Sequence, residues 1–253
     1  MLVTLLDCFE QEHPSYHIDS PPTWYVSSSS ATTKNQVPPK VLVRQDIQDW
    51  LHLADQFLQS QEAQHSDLAR ESEPSKAPMD LNNEAAVRTL ADNHIVMPVL
   101  KALLVKHPHK LKYRPEETTN PLRVDAAICV AGANPKKKVV LLEYKRCPYI
   151  TSDNFEDALH SEDQIEDKLE RLRVAKKTCT LDEDLDDYIF LKQATAYYIQ
   201  TGCPYVALCD YESLILIRFL GGGQLESAKV TVVPRNCFRK ALLGFSLEAC
   251  QDI

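Results

Sequence analysis

The chain has 253 residues, 44% of them hydrophobic and 25% charged, with six glycines and a formal net charge of −8. That length holds one substantial domain with appendages but not two large ones. No apolar run reaches the roughly eighteen residues of a membrane helix, and the opening MLVTLL is stopped by Asp7 with no basic cluster before it, so neither a membrane span nor a signal peptide is expected.

Residues 1–40 carry clustered Ser, Thr and Pro, including Ser27 to Ser30 and Pro38-Pro39, and show no sustained periodicity, so a disordered segment is expected. Within 41–63, Ile47, Trp50, Leu51, Ala54, Phe57 and Leu58 recur at helical spacing and predict an amphipathic helix that docks on something, a candidate element for a protein partner. Residues 64–79 are polar and Pro-containing and read as a linker. The main domain is expected over 80–240. It opens with a long helix from Glu84 to Lys106, capped from Asp80, Asn82 or Asn83 and bent or divided at Pro98. Two β-branched runs, from Arg123 to Val130 and from Lys138 to Arg146, flank the turn-like Gly132-Ala133-Asn134-Pro135 and predict an antiparallel pair. An acidic insertion over 147–184 follows, its stretch from Phe155 to Lys177 reading as an exposed helix. A second helix runs from Leu185 to Gln200, with Tyr188, Leu191, Thr195, Tyr198 and Ile199 as its packing stripe, and stops at Gly202 and Pro204. Strands are then expected from Tyr205 to Asp210, from Leu214 to Leu220 and near Lys229 to Val233, with Gly221 to Gly223 as a turn and 241–253 as a tail. This order predicts a mixed α/β (α+β) class with a central sheet flanked by helices.

A net negative charge argues against a nucleic-acid partner, but the way it is distributed removes the objection. Between Asp153 and Asp187 stand thirteen Asp and Glu against five Lys and Arg, which accounts for the whole deficit. The remainder is neutral overall, with basic groups at Lys136 to Lys138 and at Lys101, Lys106, Lys110, Lys112 and Arg114. A phosphate-binding cleft remains compatible with the chain, and the acidic insertion is a candidate surface for a basic protein partner. The eight cysteines contain no C-x-x-C pair and no N-x-S/T sequon occurs, which favours a reducing, intracellular setting, nuclear or cytoplasmic.

The residues that carry chemistry lie on the two central strands and the second helix. Strand alternation puts Glu143 and Lys145 on one face. On the preceding strand Asp125 interrupts an apolar run, where an unpaired charge is costly. Two carboxylates on adjacent strands suit Mg²⁺ or Mn²⁺, and a neighbouring lysine can orient or deprotonate a water for attack on phosphorus. A carboxylate-x-Lys triplet occurs at Glu143 and again at Glu166, the latter within the charged insertion. Gln193 and Tyr197, four residues apart, share a helix face. Two plainer readings stand beside these: Asp125 with Lys145 as a cross-strand ion pair, and Gln193 with Tyr197 as ordinary helix packing.

Taken in order, Asp125, Glu143-Tyr144-Lys145 and Gln193-Ala194-Thr195-Ala196-Tyr197 resemble the PD-(D/E)XK nuclease superfamily, in its RecB-like branch with the QxxxY motif. The resemblance covers roughly residues 84 to 220. It implies a restriction-endonuclease-like αβββαβ core and Mg²⁺-dependent hydrolysis of nucleic-acid phosphodiester bonds, DNA being the expected substrate. It further implies that Asp125 and Glu143 bind metal, that Lys145 positions the attacking water, and that Gln193 and Tyr197 order the site. Glu84 is the candidate for the acid many members carry on the first helix and His94 for the RecB-like histidine. Val124 stands where the family name places Pro, and the cysteines lack the spacing of iron–sulfur members, so no cluster is expected. A catalytically idle module of the same fold, binding nucleic acid or a protein, is the alternative.

Overall fold

The computed structural model describes residues 3–16, 33, 35–71, 81, 83–119, 122–133, 137–221, 225–251 and 253. The chain enters with a single capped turn, α1 (Leu5–Cys8), in which Asp7 N–H donates to Thr4 Oγ1 and Thr4 N–H donates back to Asp7 Oδ2. Next come β1 (Val41–Arg44), α2 (Ile47–Leu58), capped by Asp46, and the short α3 (Gln61–Gln64). α4 (Glu84–Ala91), capped by Asn83, passes through a π-helical turn at Asp92–Val96 into α5 (Met97–Lys106). Then follow β2 (Leu111–Thr119), β3 (Leu122–Val130) and β4 (Lys138–Tyr144), and after them α6 (Ser152–Ala158), β5 (Leu159–His160) and α7 (Ile165–Ala175). The chain closes with α8 (Asp186–Thr201), β6 (Tyr205–Cys209), β7 (Leu214–Phe219), β8 (Ser227–Val233) and α9 (Phe238–Ala249). Among the described residues no helix is long and apolar enough to cross a membrane.

The strands form one eight-stranded mixed sheet in the order β2-β3-β4-β6-β7-β8-β1-β5. Pairs β4–β6, β8–β1 and β1–β5 are parallel and the rest antiparallel. Apolar residues on both faces of its central strands require cover on both sides. Ala126, Ile128, Leu142 and Tyr144 pack with α2, α4, α5 and α9, whereas Ala127, Cys129 and Leu141 pack with α8. The class is therefore mixed α/β, a sheet flanked by helices. Pro98 does divide the first long helix, and the cause is local: proline lacks an N–H and crowds the carbonyl four residues back, here that of His94. The π-turn accommodates this, and the buried Arg239 donates from Nε to the His94 carbonyl at 2.5 Å.

The expected boundaries change in several places. Residues 3–16 are not disordered: Leu5, Cys8, Phe9 and His13 are buried, Arg239 Nη1 donates to Cys8 O at 2.6 Å, and Lys240 and Arg235 pair with Glu10 and Glu12. The Ser/Thr/Pro clusters that suggest disorder lie mostly at 17–32, outside the described residues, as do 72–80, the turn at 134–136 and that at 222–224. Residues 64–71 are no free linker, since Leu68 is buried and Glu71 O accepts from Leu5 N–H. The amphipathic helix begins only at Ile47, because Val41 to Arg44 pair as a strand, and its apolar face is already occupied by α9 rather than offered to a protein partner. Residues 241–253 are no tail, for α9 buries Ala241, Leu242, Leu243 and Phe245. Nor is the acidic insertion one exposed helix: β5 pairs with β1, and α7 lays Ile165, Leu169 and Leu172 on Val41 and Val43.

Candidate active site

The antiparallel register sets Ala126 opposite Leu142 and Ala127 opposite Leu141, so the next step brings Asp125 opposite Glu143. Strand alternation places both on the face covered by α8. Asp125 Oδ2 accepts the Tyr144 N–H at 2.8 Å, and Lys145 extends the ladder beyond β4 by donating its N–H to Cys209 O at 2.9 Å. From α8, Gln193 and Tyr197 reach down to the same place. The inward residues of that helix are Phe190, Leu191, Ala194, Thr195 and Tyr197, while Ile199, expected in the packing stripe, is 55% exposed.

Four side chains close into one hydrogen-bonded network. Lys145 Nζ donates to Glu143 Oε1 at 2.5 Å and to Gln193 Oε1 at 2.8 Å; Gln193 Nε2 donates to Glu143 Oε1 at 2.7 Å and to Tyr197 Oη at 2.8 Å. The Tyr197 hydroxyl lies 2.7 Å from Glu143 Oε2 and 3.0 Å from the Arg123 carbonyl, and its single proton serves one of them. Lys145 also stands over the Phe190 ring, 5.2 Å from its centroid. Glu143, Lys145 and Tyr197 are all buried.

Burial pushes the Glu143 carboxyl above the ordinary range, against the pull of Lys145 and with a further push from Asp125. Burial works against the Lys145 ammonium, but Glu143, Glu84 and Asp125 together outweigh it and raise its pKa, so the amine stays protonated. Glu84 opens α4 at the rim and is exposed; the desolvation it meets there raises its carboxyl, Lys145 opposes this and Asp125 adds to it. Asp125 therefore acts on Glu143, Lys145 and Tyr197, and Glu84 on Lys145. Neither Asp125 nor Glu84 has an ion-pair partner among the described residues.

His94 does not join them. It is buried beside the N-terminal segment, its Nε2 3.2 Å from the Tyr16 hydroxyl. Asp92, two residues earlier, matters instead: its Oδ1 accepts from the hydroxyls of Tyr113 and Tyr144, each at 2.5 Å, and so anchors the middle residue of Glu143-Tyr144-Lys145 from the opposite face. A lone acid in the run Leu90-Ala91-Asp92-Asn93-His94-Ile95-Val96 is the signal that could have found it.

Glu143, with Asp125 opposite it on β3 and Glu84 on α4, has the oxygen-donor chemistry of a hard divalent cation. Their present posture is closed: both Glu143 oxygens are engaged internally, and among the described residues no three His, Cys, Asp or Glu side chains are grouped to hold a metal ion. Comparison with protein-family models, curated proteins and solved structures finds no match for this chain.

Proposed function

We propose that this protein is a metal-dependent nuclease-like phosphodiesterase of the PD-(D/E)XK type, RecB-like branch. One observation carries the reading: Asp125, Glu143, Lys145, Gln193 and Tyr197, far apart in the chain, meet on one sheet face with Glu84 at the rim. The element order α4/α5, β2, β3, β4, α8, β6, with β6 parallel to β4, supports a restriction-endonuclease-like αβββαβ core.

By donor type, Asp125 and Glu143 would hold Mg²⁺ or Mn²⁺, with Glu84 as a third carboxylate. Such an ion supplies Lewis-acid polarisation of the phosphoryl oxygen and a more acidic bound water. Lys145, hydrogen-bonded to Glu143 and Gln193, neutralises phosphate charge and positions the attacking water through Nζ. Gln193 fixes Lys145 through Oε1 and Glu143 through Nε2, and Tyr197 holds the second Glu143 oxygen. The expected substrate is a nucleic acid, DNA first.

Purified protein incubated with labelled linear and circular DNA and RNA, with and without Mg²⁺ or Mn²⁺, tests this. Metal-dependent cleavage is expected, lost in Glu143→Ala and in Lys145→Ala; no cleavage of any substrate, or full activity in both variants, rejects it. The closed posture of Glu143 favours a second reading, a catalytically idle module of the same fold. Calorimetric titration separates the two, because an idle module shows no Mn²⁺ affinity that depends on Asp125 and Glu143.

A further inference from the structure

Beside the acidic cluster stands a pair of arginines placed by the same two elements. Arg88 follows Glu84 by one helical turn on α4, and Arg123 precedes Asp125 by two residues on β3, so each shares a face with one of the site's carboxylates. Between them sits Glu116 of β2. The flanking pairs Pro115–Ala126 and Glu117–Val124 put Glu116 opposite Asp125. Its Oε1 accepts from Arg88 Nη1 at 2.9 Å and from Arg123 Nη2 at 2.9 Å. Glu116 holds this place with φ at 53°, in the left-handed region that a non-glycine residue seldom enters. The Arg123 carbonyl meets the Tyr197 hydroxyl, and the Arg123 charge acts on Glu84, so this pair adjoins the cluster itself.

Two guanidinium groups converging on one anionic oxygen present the donor geometry that a phosphate oxygen takes. The arrangement opens on the Arg123 side: the side chains of Arg123 and Glu116 are 62% and 53% exposed, while Arg88, 20% exposed and with its Nε 3.9 Å from Asp92 Oδ2, forms the inner wall. An ion pair that exposed is weak and screened by salt, so a phosphate can take over its donors. We propose that Arg88 and Arg123 form a subsite for a polynucleotide backbone phosphate next to the scissile one, and that Glu116 is its built-in stand-in, displaced when the strand binds. The subsite offsets the repulsion that the three carboxylates of the cluster exert on an incoming polyanion. This deepens the phosphodiesterase reading and rests on it for the identity of the strand.

The test is fluorescence anisotropy of labelled single-stranded and duplex DNA oligonucleotides in EDTA, titrated across KCl concentrations, so that binding is read without cleavage. Arg123→Gln and Arg88→Gln are each expected to weaken binding and to lower the slope of log affinity against log salt by about one. Glu116→Gln, which removes the negative charge that competes for the arginines, is expected to tighten binding. Arg173→Gln is the matched charge control, because Arg173 lies on α7, packed on β1 toward the far edge of the sheet from β2 and β3. Should Arg88→Gln fail to fold, the exposed Arg123 carries the test alone. An unchanged slope in Arg123→Gln, an equal fall in Arg173→Gln, or no DNA binding by the unaltered protein overturns the subsite. Cleavage by an Arg123→Gln protein with an unaltered slope retires the subsite and keeps the hydrolase. A lost slope in a protein that cleaves nothing does the reverse.

Discussion

Replacing Tyr197 with Phe removes one oxygen from the centre of the cluster and nothing else. That oxygen lies 2.7 Å from Glu143 Oε2, 2.8 Å from Gln193 Nε2 and 3.0 Å from the Arg123 carbonyl, on a residue 1% exposed. With the Tyr197 proton given to the nearer acceptor, Glu143 Oε2, a hydrogen bond to a charged, buried group worth about 1.5–3 kcal/mol is lost, and Gln193 loses one acceptor. Glu143 limits the damage by taking up a proton, which burial already favours. The net expectation is a loss of about 2–3 kcal/mol, and for a chain of this size roughly 5–10 °C in Tm. Urea denaturation of Tyr197→Phe, Glu143→Gln and the double variant measures it, with a coupling of about 1–2 kcal/mol expected between the two positions. A Tyr197→Phe protein within about 0.5 kcal/mol of the unaltered one, or strictly additive losses, would refute the network.

Two further outcomes follow from the packing. At Gly244 an added Cβ would meet the Trp50 carbonyl oxygen at 1.9 Å and its carbon at 2.5 Å, backbone atoms that cannot rotate aside. Gly244→Ala is therefore expected to force α9 from α2 and to cost about 3 kcal/mol or more, the upper end of overpacking; an unchanged urea midpoint contradicts that contact. His13 is buried, and burial first, then the charge of Arg235, lowers its pKa from 6.5 to about 3. Between those values the unfolded chain binds a proton that the folded one refuses, so stability falls as pH drops below 6.5, by about 1.4 kcal/mol per pH unit. In His13→Gln this component is expected to vanish, and identical pH slopes for the two proteins would count against it.

The central strands are legible in the sequence because their chemistry obeys a two-residue period. Isolated acids in apolar runs put Asp125 and Glu143 on adjacent strands, and the register aligns them. The four-residue spacing of Gln193 and Tyr197 likewise survives, although the buried face of their helix is turned from the expected stripe. The edge strand β2 is hidden because its alternation, Leu111 and Tyr113 against Lys112 and Arg114, is too short and ends at Pro115-Glu116, as suits a strand with one open side. The N-terminal segment is hidden for another reason: one turn of helix has too few residues to display a period, and its stability comes from Arg235, Arg239 and Lys240 at the other end of the chain. Long-range pairing of that kind, like β1 beside β8, leaves no local trace. His94 and Asp92 exchange importance because their partners come from distant segments, Tyr16 for His94 and Tyr113 with Tyr144 for Asp92, which no helical wheel displays.

The place of β1, with β8 on one side and β5 on the other, also dictates when the molecule can close. Val41 pairs with Ser227, and the N-terminal apolar residues lie under groups at 235–240. During translation at roughly 5–20 residues per second, the first-made strand waits about 10–40 s for its partner to leave the ribosome. Until then Leu5, Phe9, Trp50 and Phe57 lack the cover that α9 gives them in the folded chain.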